Sequence, residues 1–171
     1  MIIYVLYYSH NIKRSADFMW TKTKSLFLSR VLTASATVII IIMTFFVPAI
    51  SRWYEDVSVG GGLLGDHDIF LPMCIIMYIC EAFALTAMVS LIILLGNINS
   101  EQVFIPENTT CLRRISWCCM LAGVALFVLG LWRSVFFLAA MLAVMFGLIM
   151  RVLKNVFEKA VEIKSENDFT I

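Results

Sequence analysis

Glu81 is the residue with the strongest claim to chemistry, because it is the one charged residue between positions 69 and 95. An ionised carboxylate in the middle of a membrane span costs at least about 2.5 kcal/mol, so this side chain should face protein or water. Tyr78 lies one helical turn before it and carries a hydroxyl group that could bond to the carboxyl group. An earlier apolar run offers further hydroxyl donors: Thr33, Thr37 and Thr44. We therefore predict an intramembrane polar site at Glu81 and Tyr78, and its role can be structural, proton-transferring or ligand-sensing.

The other residue types that carry chemistry do not form a catalytic or metal-binding pattern. The five cysteines contain no CxxC and no His-Cys cluster, and we expect Cys111 to be the one exposed thiol. The glycine-rich stretch 60–65 lacks the Gly-Lys-Ser/Thr of a phosphate loop. Asp66 to Asp68 offer adjacent ligands without a second cluster. The sequence therefore predicts no enzyme, no metal and no cofactor.

The elements that must position these residues are membrane helices. Apolar residues make up 61% of the chain and charged residues 15%, with a mean hydropathy of +0.93, and this composition excludes the water-soluble class. A helix needs about 20 apolar residues to cross the hydrocarbon core. The run from 115 to 153 would extend roughly 58 Å as one helix, so we expect it to turn at "GLWRS", Gly130 to Ser134. We predict an all-α integral membrane protein with four transmembrane helices, near 31–50, 69–95, 115–132 and 135–153.

The distribution of Lys and Arg predicts which sides the loops occupy. Eleven of the 13 basic residues lie in the N-terminal segment, the second loop and the tail, and the other two are Arg52 and Arg133. By the positive-inside rule both termini are cytoplasmic, in a multi-pass protein of the cell (inner) membrane. The predicted domains are a basic cytoplasmic segment, a four-span membrane domain and an amphipathic cytoplasmic tail: 1–30, 31–153 and 154–171.

The fourth helix should continue past Arg151 into the cytoplasm, since nothing in "RVLKNVFEKAVEIK" breaks it. At 100° per residue its apolar side chains fill one half of the tail and its charged side chains the other. Acidic residues balance the tail's Lys and Arg, so the tail lacks the cationic excess that would hold it on anionic lipid. The candidate docking face consists of Val156, Phe157, Ala160 and Ile163. Its partner is the bundle's own cytoplasmic loop, with Phe104, Arg113 and Arg114, or a second copy, or a separate cytoplasmic protein.

Two further patterns concern packing. Small residues recur every four positions on the fourth span, at Ala139, Ala143 and Gly147, and predict close helix approach. Gly123 and Gly130 on the third span are the expected counterparts. Beyond the turn at Pro106, we expect Asn108 to cap the helix that follows.

Two segments, "EQVFIPENTTCLRRISWCC" (101–119) and "GLIMRVLKNVFEKAVEIKSENDFTI" (147–171), resemble the signature regions of the YoaS-like family of bacterial membrane proteins. The resemblance begins near Met19 and implies a small four-helix inner-membrane protein, typically of Gram-positive bacteria. Because such proteins begin near Met19, it also implies that residues 1–18 are a start-site extension. Members are commonly paired with a small Cro/CI-type helix-turn-helix protein, and the family has no established activity.

Three functional hypotheses remain open from the sequence. The first is a regulatory membrane protein that binds a small helix-turn-helix transcription regulator through its cytoplasmic face. The second is a small proton-linked transporter that uses Glu81, and the third is a structural or immunity-type membrane protein. A net charge of +1 gives no reason to expect direct nucleic-acid binding, and a homo-oligomer stays possible.

Overall fold

The computed structural model describes the backbone of residues 2–58, 63–64 and 68–168, and the side chains from residue 24 to residue 167 within these ranges. This part of the chain forms four α-helices, which are α1 (Ile2–Val57), α2 (Phe70–Asn99), α3 (Pro106–Gly130) and α4 (Val135–Asp168). Each contains a segment long and apolar enough to cross a membrane. The predicted all-α class and the prediction of four helices able to cross a membrane are therefore confirmed.

The helices extend further than the predicted spans, because hydropathy marks the apolar part of a helix and not its ends. α1 has 56 residues, and includes both the predicted span 31–50 and the segment before it. At 1.5 Å per residue α1 is about 84 Å long, more than twice the thickness of the hydrocarbon core. Of the predicted start-site extension, residues 1–18, the backbone of residues 2–18 is described and helical, and the side chains lie outside the described residues.

The short segment between α2 and α3 defines what we call the loop end of the molecule. Pro106 occupies the first turn of α3, where its missing N–H is not needed. The prediction that Asn108 caps this helix is wrong, since the capping position is Ile105 and no side chain bonds there. Asn108 is instead fully buried, and its Nδ2 donates to the carbonyl oxygens of Gln102 and Val103 at 2.8 Å each. Its Oδ1 accepts a bond of 2.7 Å from Asn97 Nδ2, so this side chain fastens the loop to α2.

The turn between α3 and α4 defines the opposite, hairpin end and confirms the predicted reversal at "GLWRS". α3 ends at Gly130 and α4 begins at Val135. A Cβ atom on Gly130 would lie 2.7 Å from the ring of Phe137, so a larger residue would push the two helices apart here. Arg133 is buried, and its Nε donates to Ser58 Oγ at 3.2 Å, which connects the turn to the end of α1.

α3 and α4 approach each other closely at two glycines. A Cβ atom on Gly147 would lie 2.7 Å from Met120 Cγ and 3.1 Å from the carbonyl oxygen of Ser116. Ser116 Oγ also donates to the carbonyl oxygen of Gly147 at 2.8 Å, a bond that requires this short separation. The prediction of close packing at Gly147 is therefore confirmed.

The rest of the predicted small-residue stripe is displaced by one position. A Cβ atom on Gly123 would lie 2.6 Å from Val144 Cγ2 and 3.2 Å from the carbonyl oxygen of Ala140. Ala140 is buried, whereas Ala139 and Ala143 are only half-buried. A period of four residues drifts around a helix that repeats every 3.6 residues, so the stripe leaves the contact line before it reaches the start of α4.

The helices pack in chain order, α1 on α2, α2 on α3 and α3 on α4. One buried cluster lies at the hairpin end around Leu129, and a second at the loop end contains Leu94, Cys111 and Leu112. The expectation that Cys111 is exposed is wrong, because the side chain is 4% exposed and belongs to the second cluster. Large apolar side chains elsewhere on all four helices are exposed, as lipid-facing surfaces require.

Candidate functional site

The carboxyl group of Glu81 is held by the neighbouring helix. Its Oε1 accepts a 2.8 Å hydrogen bond from Thr44 Oγ1 on α1, which selects one of the three threonines proposed from the sequence. Thr33 and Thr37 instead donate to the carbonyl oxygens of Ser29 and Thr33, four residues earlier in their own helix. The Thr44 contact therefore joins α1 and α2 through a side-chain hydrogen bond.

The hydroxyl group of Tyr78 bonds to the backbone of α1 and not to Glu81. This hydroxyl donates to the carbonyl oxygen of Thr44 at 3.4 Å. Pro48 lies four residues after Thr44 in the helix and has no N–H, so it cannot form the bond that this carbonyl normally accepts. Within a membrane such a freed carbonyl must be satisfied by another group, and Tyr78 supplies the donor. The spacing of Thr44 and Pro48 is the sequence signal that could have revealed this role.

The second oxygen of Glu81, Oε2, is buried, and no described donor lies within hydrogen-bond distance of it. Glu81 lines a cavity of about 440 Å³ between α1 and α2, whose walls are otherwise formed by apolar side chains such as Ile40, Met43 and Met77. An unsatisfied buried polar group costs about 1–3 kcal/mol. The arrangement therefore provides one fixed acceptor and one free carboxyl oxygen, which can hold a proton or accept a bond from a ligand.

The loop end brings together the predicted loop and tail residues. The ring of Phe104 lies 6.0 Å from the ring of Phe157 between centroids, and Phe157 packs against the cluster of Leu94, Cys111 and Leu112. We call the surface formed by Phe104, Arg113 and the tail from Lys154 to Asn167 the tail–loop surface. The chain's own loop therefore covers part of the tail.

The four residues of the predicted docking face do not lie on one exposed side of the tail. Phe157 points inward, and Ala160 is half-buried. Val156 and Ile163 are 59% and 57% exposed and lie on a different side of α4. Adjacent helical positions differ by about 100°, so Val156 and Phe157 cannot contact the same partner equally. The uncovered apolar surface is therefore narrower than the sequence pattern indicated.

An ion pair joins the polar side of the tail to α3, and two others lie within the tail itself. Glu158 Oε1 lies 3.7 Å from a guanidinium nitrogen of Arg113, and Glu158 also accepts a hydrogen bond from Lys154. The bond from Lys154, aided by the charges of Lys154 and Arg113, holds the pKa of Glu158 below its ordinary value. A hydrogen bond to Glu162 raises the pKa of Lys159 in the same way. Arg114 is exposed on α3 nearby.

The remaining sequence predictions concern the segment between α1 and α2. Most of the glycine-rich stretch 60–65 and residues 66–67 of the "DHD" sequence lie outside the described residues. In the ranges that the structure does describe, no three His, Cys, Asp or Glu side chains come close enough to hold a metal ion.

The four apolar helices, their lipid-facing side chains and the intramembrane carboxyl group define a multi-pass α-helical membrane protein. The chain belongs to the family described as Protein of unknown function (DUF2975), whose sequence profile matches residues 64–171. This range includes α2 to α4 and the whole tail–loop surface. No curated protein and no solved structure matches the chain significantly. The YoaS-like name and the helix-turn-helix partner stay predictions.

Proposed function

We propose that this chain is a non-enzymatic regulatory membrane protein that binds a small cytoplasmic helix-turn-helix transcription regulator through the tail–loop surface. The proposal places this surface in the cytoplasm, in agreement with the Lys and Arg distribution. The regulator contacts the nucleic acid, and the membrane protein controls whether the regulator is free to do so.

The observation that supports this proposal is an exposed apolar stripe, formed by Val156 and Ile163, on a helix that is longer than the bilayer is thick. α4 has 34 residues and is therefore about 51 Å long, roughly 20 Å more than the hydrocarbon core requires. The two side chains are seven residues apart, which places them on one side of the helix. Amphipathic helices present such i, i+7 anchors to a groove on a partner protein.

The inner side of the tail makes this stripe suitable for recognition. Phe157 packs against the loop-end cluster, and Phe104 covers its ring, so the helix is held in a fixed orientation. A partner then binds a surface that is already ordered, which lowers the entropic cost of association. The resemblance to proteins paired with Cro/CI-type regulators is our reason for proposing this kind of partner.

The test is recovery of the regulator from native membranes. A tagged full-length chain should co-purify the helix-turn-helix protein encoded beside it. Val156→Glu together with Ile163→Glu should abolish the recovery, because both changes place a charge in the apolar stripe. The control pair Lys164→Gln with Ser165→Glu lowers the net charge equally but leaves the stripe intact, and should still recover the regulator. Equal recovery by both pairs, or none by the wild type, would contradict the proposal.

The free oxygen of Glu81 favours a second candidate function, a small proton-linked transporter. A carboxyl group with one fixed and one unsatisfied oxygen can take up and release a proton with little rearrangement. Glu81→Gln preserves the size of the side chain and removes the carboxyl group that would carry the proton. Under this candidate the variant loses proton-coupled uptake in proteoliposomes while binding of the regulator is unaffected, and unchanged transport would exclude it.

A further inference from the structure

A basic pocket lies between α3 and α4 near the loop end, and it shares Arg113 and Lys154 with the tail–loop surface. It has a volume of about 300 Å³ and is lined by Arg113, Ser116, Trp117, Arg151, Lys154 and Asn155. Three of these side chains are cationic, and they come from two helices. The Arg151 guanidinium lies 5.2 Å from the centroid of the Trp117 ring, so the indole orients this charge.

The pocket keeps a positive surplus after its ion pairs are counted. Glu158 is paired with both Arg113 and Lys154. Its lowered pKa keeps this carboxylate ionised at neutral pH. One carboxylate therefore balances one of three cations. Among the residues with described side chains, Arg151 contacts the Trp117 ring and, at 3.9 Å, Met120 Sδ, and neither carries a charge.

A second, apolar cavity lies further along the same pair of helices, toward the hairpin end. It also measures about 300 Å³, and its walls include Val124, Phe127, Val144 and Met145. Val124 lies seven residues beyond Trp117, which is about 10 Å deeper along α3 and on the same side of that helix. We call the side of the helix pair that carries both cavities the α3–α4 groove; it is cationic at the loop end and apolar toward the hairpin end. Tryptophan at the junction is typical of the interface between headgroups and hydrocarbon.

We propose that this α3–α4 groove is a binding site for an anionic phospholipid. The phosphate lies among Arg113, Arg151 and Lys154, and an acyl chain follows the exposed apolar side chains toward Val124. Basic pockets between transmembrane helices bind anionic headgroups in this way. Charge balance along the tail argues against lipid binding by the tail alone. The pocket differs from the tail in its charge balance. Arg113 of α3 adds a cation to it, and the acidic Glu162 lies two turns beyond Lys154 along α4 and does not line it.

The experiment measures quenching of Trp117 by brominated lipids in the purified full-length protein. Replacing Trp20, Trp53 and Trp132 by Phe leaves Trp117 as the only indole. Brominated phosphatidylglycerol should quench it at a lower mole fraction than brominated phosphatidylcholine. Arg151→Gln with Lys154→Gln should weaken the apparent affinity for brominated phosphatidylglycerol, taken from the mole fraction at half-maximal quenching, by about 30-fold. Each cation near the surface contributes about a factor of five to that affinity.

The matched control is Lys159→Gln with Lys164→Gln, which removes two cations from the same helix outside the pocket and should leave quenching unchanged. If the first pair does not yield a monodisperse protein, Arg151→Gln alone should weaken the same apparent affinity about fivefold. Equal quenching by the two lipids, or equal loss in the control pair, would overturn the proposal. Inorganic phosphate should not compete at millimolar concentration, and competition would identify a soluble phosphate ligand instead of a lipid.

Discussion

The hydrogen bond from Tyr78 to the carbonyl oxygen of Thr44 can be tested without disturbing the packing. Tyr78→Phe removes the hydroxyl and keeps the ring. The bond is long, 3.4 Å, and hydrogen bonds between membrane helices average about 0.6 kcal/mol, so we expect a loss of about 0.5–1 kcal/mol in the free energy of unfolding. The loss arises because the Thr44 carbonyl, already deprived of its helical donor by Pro48, then has no donor at all.

The decisive comparison is the same change in a Pro48→Ala background. An alanine at position 48 restores a backbone N–H, which can donate to the Thr44 carbonyl as in a regular helix. Tyr78→Phe should then cost less than about 0.3 kcal/mol, so that nearly all of its effect appears as coupling in the double-mutant cycle. The free energies are measured by reversible unfolding of the purified protein in mixed detergent and sodium dodecyl sulfate.

Tyr54→Phe is the matched control for this cycle. Its ring packs against Phe136 at 5.6 Å between centroids, and the change again removes only a hydroxyl group. Any cost of Tyr54→Phe should be the same with proline or alanine at position 48. If Tyr78→Phe costs as much in the Pro48→Ala background as in the wild type, the hydroxyl does not replace the missing backbone donor, and the reasoning is wrong.

Three further predictions concern α3, α4 and the tail. Gly147→Leu should lower the free energy of unfolding by about 2–3 kcal/mol, because its Cβ would lie 3.1 Å from a backbone oxygen that cannot move aside. The control is Gly96→Ala, where a Cβ meets nothing within 4 Å, and it should be neutral or stabilising in the same unfolding assay. The lowered pKa of Glu158 means that its ion pairs stabilise the tail above the ordinary pKa of a glutamate, and that this stabilisation is lost as the pH falls through the lowered value. The protection factors of the tail amides, which are exchange rates corrected for the intrinsic effect of pH, should therefore fall across that acid range, and Glu158→Gln should remove this dependence. Phe104→Ala should cost about 1 kcal/mol and increase tail exchange, because the aromatic contact with Phe157 is lost; unchanged exchange would show that the loop does not hold the tail.

Hydropathy and chain length were sufficient to predict the four helices and the reversal at Gly130, since a run too long for one span must turn back. The same signals could not predict which side of a helix faces another helix. Cys111 was expected to be exposed because it precedes the apolar run, yet position 111 faces α2 and is buried. Asn108 was expected to cap α3 because it follows Pro106, yet its amide satisfies the carbonyl groups of the loop.

The candidate sites show the same division between local and long-range information. Glu81 could be found from one sequence window because a charge among apolar residues is a local signal. Its partner required the relative register of α1 and α2, and this left three threonines equivalent until the structure selected Thr44. The basic pocket joins Arg113 to Arg151, 38 positions apart in the sequence, and only the antiparallel α3–α4 hairpin brings them to one cavity.

Arg113 and Lys154 link the proposed lipid site to the tail–loop surface, because both line the basic pocket and both pair with Glu158. A phosphate bound in the pocket would compete with Glu158 for the same two cations. α4 is continuous from the membrane to Asp168, so a change at Glu158 acts on the helix that carries Val156 and Ile163. A shift of that stripe relative to Phe104 would change the surface offered to a regulator. Lipid composition and partner binding are therefore expected to be coupled through Glu158, and Glu158→Gln should weaken that coupling.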